Sequence, residues 1–247
     1  MKPRWLLLTG FGIYSLALLI SAPAALFDGQ LQKFSSGSLR LAEADGTLWK
    51  GSGKLEIRTA DGRTIHRKDL SWRFQAERLL FGNMTWLLDM DQGAQIVPLA
   101  LFPGGVKIAH INIDLPAAAL AHVVPDFAEF GLVGDLTFEG KEIRLTQDSM
   151  DGSASLRWRN AGLALSPVSP LGSYEINFVM EGPATTFNLN TLSGPLQVDG
   201  EGSWIPGSRP VFLSTAEIPE EFESRLAPFL RLIAVERGPG RFELGYR

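Results

Sequence analysis

Cysteine is absent from the 247 residues, which excludes disulfides, thiol chemistry and thiolate metal sites. A chain without cysteine also passes through an oxidising compartment with no risk of mispairing. Histidine occurs only three times, at His66, His110 and His122. These are too far apart in sequence to form a local ligand pair, although His110 and His122 flank a strand-to-helix junction. Enzyme signatures are missing as well: there is no G-x-S-x-G elbow, phosphate-binding P-loop, H-E-x-x-H pair or G-x-G-x-x-G turn after a strand. The close acid pairs, Asp89 with Asp91 and Asp148 with Asp151, lack the apolar neighbours that raise a carboxyl pKa for proton transfer, and read as solvated acids. Two carboxylates facing each other across a cleft, as cleavage of an envelope glycan requires, are not indicated either. The expectation is a protein that is not an enzyme and has no metal, cofactor or small-molecule substrate. Positive charge is also scarce. The net charge is −4, and Lys2 and Arg4 lie ahead of an uncharged stretch, so the residues beyond that stretch carry −6. That is a poor surface for nucleic acid.

Trp5 to Phe27, the longest uncharged apolar stretch, runs for 23 residues. At about 1.5 Å per residue, a helix of that length crosses a hydrocarbon core of roughly 30 Å. Lys2 and Arg4 favour a cytoplasmic N-terminus. The expected organisation is a cytoplasmic tip at residues 1–4, a transmembrane anchor at 5–27, a polar spacer at 28–38 and an exported domain at 39–247. The alternative is a cleaved signal peptide, for which Ala22-Pro23-Ala24 supplies a small-residue cleavage site. The 16 apolar-rich residues from Trp5 to Ile20 exceed the usual h-region of about 7–15, and Trp5 suits a membrane interface, which favours the anchor.

From Leu39 onward the pattern has period two. Leu55 and Ile57 alternate with Lys54, Glu56 and Arg58. Leu70, Trp72, Phe74 and Ala76 share one face, with Ser71, Arg73 and Gln75 on the other. Such alternation specifies antiparallel sheet with one covered and one wetter face. Asp61-Gly62 is the best hairpin turn, and a one-residue slip near His110 fits a β-bulge. Pro116 and Pro219 each open a short helix. Glu220, Glu221 and Glu223 favour the second helix by their place in its first turn, while Pro228 is expected to bend or split it. The fold class is mainly β: one N-terminal transmembrane helix and a β-rich domain of antiparallel sheets with one or two short helices. Glu56, Glu139 and Glu243 mark the candidate edge strands.

The order of features recurs. Gly46-x-Leu48 is similar to Gly134-x-Leu136, Leu70-Ser71-Trp72-Arg73 to Leu156-Arg157-Trp158-Arg159, and Ile113-Asp114-Leu115-Pro116 to Ala216-Glu217-Ile218-Pro219. Two degenerate β modules, 39–133 and 134–247, account for this, as does chance recurrence of Gly-turn-strand patterns in a β-rich chain. Of the six tryptophans, five fall on different strands. Core packing explains them. An aromatic groove on a half-open sheet, able to hold an extended peptide or guide lipid chains, is the sharper alternative, and strand edges offer β-augmentation.

The candidate structural motif comprises Gly46, Leu48, Trp49, Gly51, Trp72, Trp158, Gly194 and Gly200. Gly46-Thr47-Leu48-Trp49-Lys50-Gly51 is followed by Leu70-Ser71-Trp72-Arg73, a Leu115-Pro116 helix start, Gly134-Asp135-Leu136, Leu156-Arg157-Trp158 and Gly194-Pro195-Leu196-Gln197-Val198-Asp199-Gly200. In this series, and over essentially its whole length, the chain resembles the type II secretion system protein N family. The resemblance implies a Gram-negative inner-membrane protein with a single span, a cytoplasmic N-terminus and a periplasmic body. It implies a part in exporting folded periplasmic proteins across the outer membrane, through contacts with other secretion subunits at the inner-membrane platform or the secretin. It carries over no catalytic residue.

Overall fold

A computed structural model of the chain describes residues 3–35, 37–58, 63–90, 93, 95–123 and 130–246. The fold is mainly β. Its strands are β1 (Leu39–Gly46), β2 (Lys50–Arg58), β3 (Thr64–Gln75), β4 (Met84–Met90), β5 (Gln95–Phe102), β6 (Gly105–Pro116) and β7 (Leu132–Thr146), then β8 (Met150–Leu163), β9 (Gly172–Glu181), β10 (Ala184–Ser193), β11 (Gln197–Trp204), β12 (Val211–Glu217), β13 (Val235–Gly238) and β14 (Arg241–Tyr246). The helices are α1 (Pro3–Ile20), α2 (Ala25–Phe34), α3 (Ala117–Val123) and α4 (Glu220–Leu230). Hydrogen-bonded order follows chain order from β1 to β12, and then comes β14 before β13. Every register determined is antiparallel. The chain divides into two compact units, residues 1–98 and 99–247.

In the first unit, the single helix expected over 5–27 does not form. α1 has 18 residues and stops at Ile20; α2 starts at Ala25 and occupies most of the expected 28–38 spacer. Among the described residues, no helix is long and apolar enough to cross a membrane. The break falls at Pro23, which has no N–H to continue a helix and instead bridges to Thr47. The flanking backbone is tied to the β1–β2 turn: Ala24 N–H donates to Gly46 O at 3.1 Å and Leu48 N–H to Ala22 O at 2.9 Å. Ala24, Leu41, Trp72 and Trp86 form the core, with Phe27 and Leu31 of α2 packed on it. The Asp61-Gly62 turn and Asp91 lie outside the described residues.

In the second unit, alternation puts successive inward residues side by side. One lateral row runs Ile113, Phe138, Leu156, Ile176, Leu189 across β6 to β10. A parallel row runs Leu115, Leu136, Trp158, Tyr174. Two caps cover part of this apolar face. Under α3, Ala117, Leu132 and Leu136 are buried; under α4, Leu226, Ala227 and Leu230 pack with Ala216, Ile218 and Phe242. α4 runs on through Pro228 as one helix. Pro228 sits close to its end, where little helix remains to be disturbed. Beyond α4, β13 forms as a short strand where the sequence pattern indicated only a helix stop. The expected bulge near His110 is displaced: Ile108, His110 and Ile111 stay in register with β7. Register shifts lie instead between β7 and β8, at Val133–Asp135 and at Lys141–Arg144, the latter where Glu142 adopts φ +49°.

Candidate functional site

The residues of the N-terminal motif meet around one indole. Trp72 is 4% exposed, donates its Nε1–H to Thr47 O at 2.9 Å and meets Phe27 edge-on at 5.5 Å. Gly51 lies directly opposite on β2, and a Cβ there would stand 2.5 Å from Trp72 Cζ2. It would stand closer still to Asp45 O, so a side chain at this position collides with both the ring and the neighbouring backbone. Gly46 closes the β1–β2 turn at φ +88°, a conformation that disfavours any side chain. Leu48 O accepts from Trp86 Nε1 at 3.0 Å. Trp49 stacks on Trp86 at 6.4 Å and donates Nε1–H to Leu19 O at 2.8 Å, tying the end of α1 to the sheet of this unit.

Trp158, Gly194 and Gly200 belong to the second unit. Trp158 Nε1–H donates to Val133 O at 2.9 Å, across the same 25-residue separation as Trp72 and Thr47. Gly194 takes φ +126°, and a Cβ there would stand 2.8 Å from Leu171 O. A Cβ on Gly200 would come within 2.6 Å of Ser214 Cβ. These glycines let neighbouring strands and loops approach closely. Sequence reading missed Tyr174, whose hydroxyl donates to Leu196 O at 2.9 Å and whose burial pushes the phenol pKa above its usual range. Period-two patterning marks such a residue as core but says nothing of its hydroxyl.

Charged groups form structural pairs. Glu56 is 2% exposed. Burial pushes its pKa up, but hydrogen bonds from Arg58 at 2.9 Å and Arg67 at 2.7 Å, with their charges, more than reverse this and hold the carboxyl below 4.5. Arg157 pairs with Glu175 on the wetter face at 2.6 Å, and this hydrogen bond outweighs partial burial to lower the Glu175 pKa. Asp89 and Asp151 accept from the turn amides of Gly93 and Gly182. Among the described residues, no group of three or more metal-ligating side chains converges.

The sheet edges differ from those expected. Glu56, Glu139 and Glu243 lie on β2, β7 and β14, each with strands on both sides; alternation reveals faces, not which strand comes last. The terminal strands are β1 and β13. On β1, Leu41 N–H is already taken by Asp28 Oδ1 of α2 at 2.8 Å, which blunts that edge. β13 has β14 on one side only. The chain leading into β13 exposes Leu232 (80%) and Ile233, with Val235 on the strand itself at 57%.

On the apolar face of the second unit, beyond the α3 and α4 caps, a trough of about 430 Å³ lies over β7 to β11. Phe138, Ala154, Phe178, Met180, Phe187 and Trp204 are among the residues that line it. Thr185 is its lone polar side chain. The hollows on the opposite face are lined by polar groups such as Asn188 and Glu201.

These features define a β-sheet protein with one strand edge that has a neighbour on one side only and an apolar face that its helices cover in part. Type II secretion system (T2SS), protein N, is the family whose description matches, over residues 37–245, and the chain belongs to that family. It is therefore a component of the type II secretion system and takes part in protein transport. No curated protein and no solved structure matches the chain.

Proposed function

We propose that the protein is a non-enzymatic, inner-membrane-held subunit of the type II secretion system, with its sheet in the periplasm, that works by binding other subunits of the machine. Family membership carries this reading. Held at the membrane, the sheet is concentrated for partners at the platform or the secretin. For membrane attachment, the support is α1. Its Phe11, Ile13, Tyr14, Leu16 and Ile20 are all more than half exposed, around the helix rather than along one stripe, as suits a lipid-facing segment. Its 18 residues rise about 27 Å, and Lys2 and Arg4 favour a cytoplasmic start.

The contact surface in this reading is the β13 edge. An unpaired edge presents free N–H and C=O groups to an incoming strand, and Leu232, Ile233 and Val235 supply apolar contacts beside it. A photoreactive residue at Glu236, in the full-length protein in its native membrane, should form adducts with other secretion subunits. A probe at Ser52, on the wetter face of the first unit, should not. Adducts absent at Glu236, or equal at both positions, would overturn the reading. Proteolysis of intact spheroplasts tests topology: cleavage of the sheet from the periplasmic side is expected, and protection would place it in the cytoplasm.

A further inference from the structure

We propose that the connection between β3 and β4 is a second membrane contact of the first unit. Its Leu79, Leu80 and Phe81 insert into the bilayer surface beside the end of α1, and Lys50, Arg73 and Arg78 meet the anionic headgroups around them. This contact rests on the reading of α1 as a membrane segment, and it fixes which end of the first unit stands on the bilayer.

The connection is a 3₁₀ helix, Ala76–Phe81, in which no residue is buried. Leu80 is 87% and Phe81 80% exposed, with Leu79 half-exposed beside them. Hydrogen bonds close the turn: Gly82, at φ +76°, donates its N–H to Leu79 O at 3.0 Å, and Asn83 N–H donates to Arg78 O at 3.3 Å. The backbone thus holds three large apolar side chains outside the core of this unit. Apolar groups so displayed are unfavourable in water, and a contiguous set marks a contact surface.

Strand pairing places this tip where α1 ends. In the antiparallel ladder from β1 to β4, the β1–β2 turn and the β3–β4 connection fall at the same end. The β1–β2 turn holds the chain just past α1, through Leu48 N–H to Ala22 O at 2.9 Å. Trp49 links all three pieces. Its Nε1–H donates to Leu19 O at 2.8 Å, its carbonyl accepts from Phe74 N–H at 2.7 Å, and its ring lies 4.9 Å from Phe74 and 6.4 Å from Trp86. Phe74 and Trp86 face each other one rung from the end of the β3–β4 ladder. Residues 9–20 of α1 are all exposed, so a bilayer around this helix has its surface at the same end of the unit.

Charge favours lipid as the partner. Lys50 and Arg73 are exposed and directly opposite on β2 and β3, where like charges repel. Arg78 adds a third positive charge within the connection. Among the described residues, none of the three pairs with a carboxylate. The acids nearest in the chain are Asp45 and Glu77. Headgroup phosphates relieve that repulsion, and an apolar tip with basic neighbours is the make-up of an interfacial segment. Three side chains offer roughly a few hundred Å², short of the about 1,000 Å² that a specific protein interface needs. Insertion into a bilayer has no such minimum and strengthens with each apolar group buried.

The test uses the full-length protein reconstituted in vesicles of phosphatidylethanolamine and phosphatidylglycerol, with some acyl chains brominated. Because the chain has no cysteine, Leu80→Cys, Ile13→Cys and Thr64→Cys each take a single nitrobenzoxadiazole probe. Thr64 is the control: it is exposed and starts the 12-residue β3, roughly 35 Å from the connection. Bromine quenching is expected at positions 13 and 80 and not at 64. Adding Leu79→Asp and Phe81→Asp, both exposed and outside the core, should abolish quenching at 80 while that at 13 persists. Lys50→Glu with Arg73→Glu should reduce quenching at 80. Quenching at 13 but not at 80 would overturn the second contact and leave the anchor standing; quenching at neither would overturn both. Equal quenching at 64, quenching at 80 that survives the two aspartates, or capture of another polypeptide by a photoprobe at Leu80 in the native membrane would also overturn it. Secretion-subunit crosslinks from Glu236 report on the β13 edge, so that reading fails separately.

Discussion

Replacing Trp72 by alanine should cost about 3–5 kcal/mol, the usual range for removing a large buried aromatic ring. The structure supports that figure from its parts. An aromatic ring buries about 150–250 Å², worth roughly 4–6 kcal/mol at about 25 cal/mol per Å² as an upper bound. The hydrogen bond to Thr47 O adds about 1 kcal/mol, and partial collapse of the site returns some of the total. Urea unfolding of the full-length protein in detergent, followed by circular dichroism, measures the loss. Trp72→Phe separates the contributions: it keeps most of the contact with Phe27 but strands the Thr47 carbonyl, at about 1–3 kcal/mol. Gly51→Ala tests the packing from the other strand. In the native background its methyl group meets both the Asp45 backbone carbonyl and the indole, and the strain should be about 1–3 kcal/mol. In the Trp72→Ala background the clash with Asp45 O remains but the clash with the ring is gone, so the penalty should fall by the indole's share, giving a coupling in the double-mutant cycle. A loss below about 1 kcal/mol for Trp72→Ala, or strict additivity with Gly51→Ala, would refute the placement of this ring at the centre of the first unit.

The remaining predictions concern charge, a hydroxyl and a glycine. Glu56→Gln should destabilise by about 1–2 kcal/mol at neutral pH, since Arg58 and Arg67 lose their shared carboxylate. Because the folded carboxyl is held below its ordinary value of 4.5, this stabilisation is complete above pH 4.5 and fades as pH falls through the folded pKa. The gap between native and variant melts should therefore close on acidification; a gap that widened would contradict the pairing. Tyr174→Phe should cost about 1 kcal/mol by stranding Leu196 O, and ultraviolet titration should show one tyrosine ionising after the others; equal stability in a urea melt would place the hydroxyl elsewhere. Gly194→Ala forces a side chain into φ +126° against Leu171 O and should cost about 1–3 kcal/mol in the same melt.

Much of the sheet was legible because strand alternation is local. The faces of β2, β3 and β7 follow from residues two apart, and Pro116 and Pro219 announced α3 and α4 through a single fixed torsion. The failures share a cause. Whether the apolar run from Trp5 continues through Pro23 depends on the hydrogen bonds that Gly46 and Leu48 offer residues 22–24, and those lie more than twenty residues away. Alternation likewise could not show that Glu56 is walled in by two arginines, or that Glu139 and Glu243 sit inside the sheet.

The sequence by itself determined the antiparallel β character, the apolar N-terminal helix, the absence of cysteine chemistry and the family, since each is carried by composition, period or short motif. Tertiary structure alone decided which strands end the order, that Asp28 blunts the β1 edge while β13 has a neighbour on one side only, and that β7 to β11 leave an apolar trough with an unpartnered Thr185 hydroxyl. These are products of pairing between distant segments. Period two tells a side chain which face it takes, but only the folded ladder tells it what lies across the strand and what, if anything, covers it.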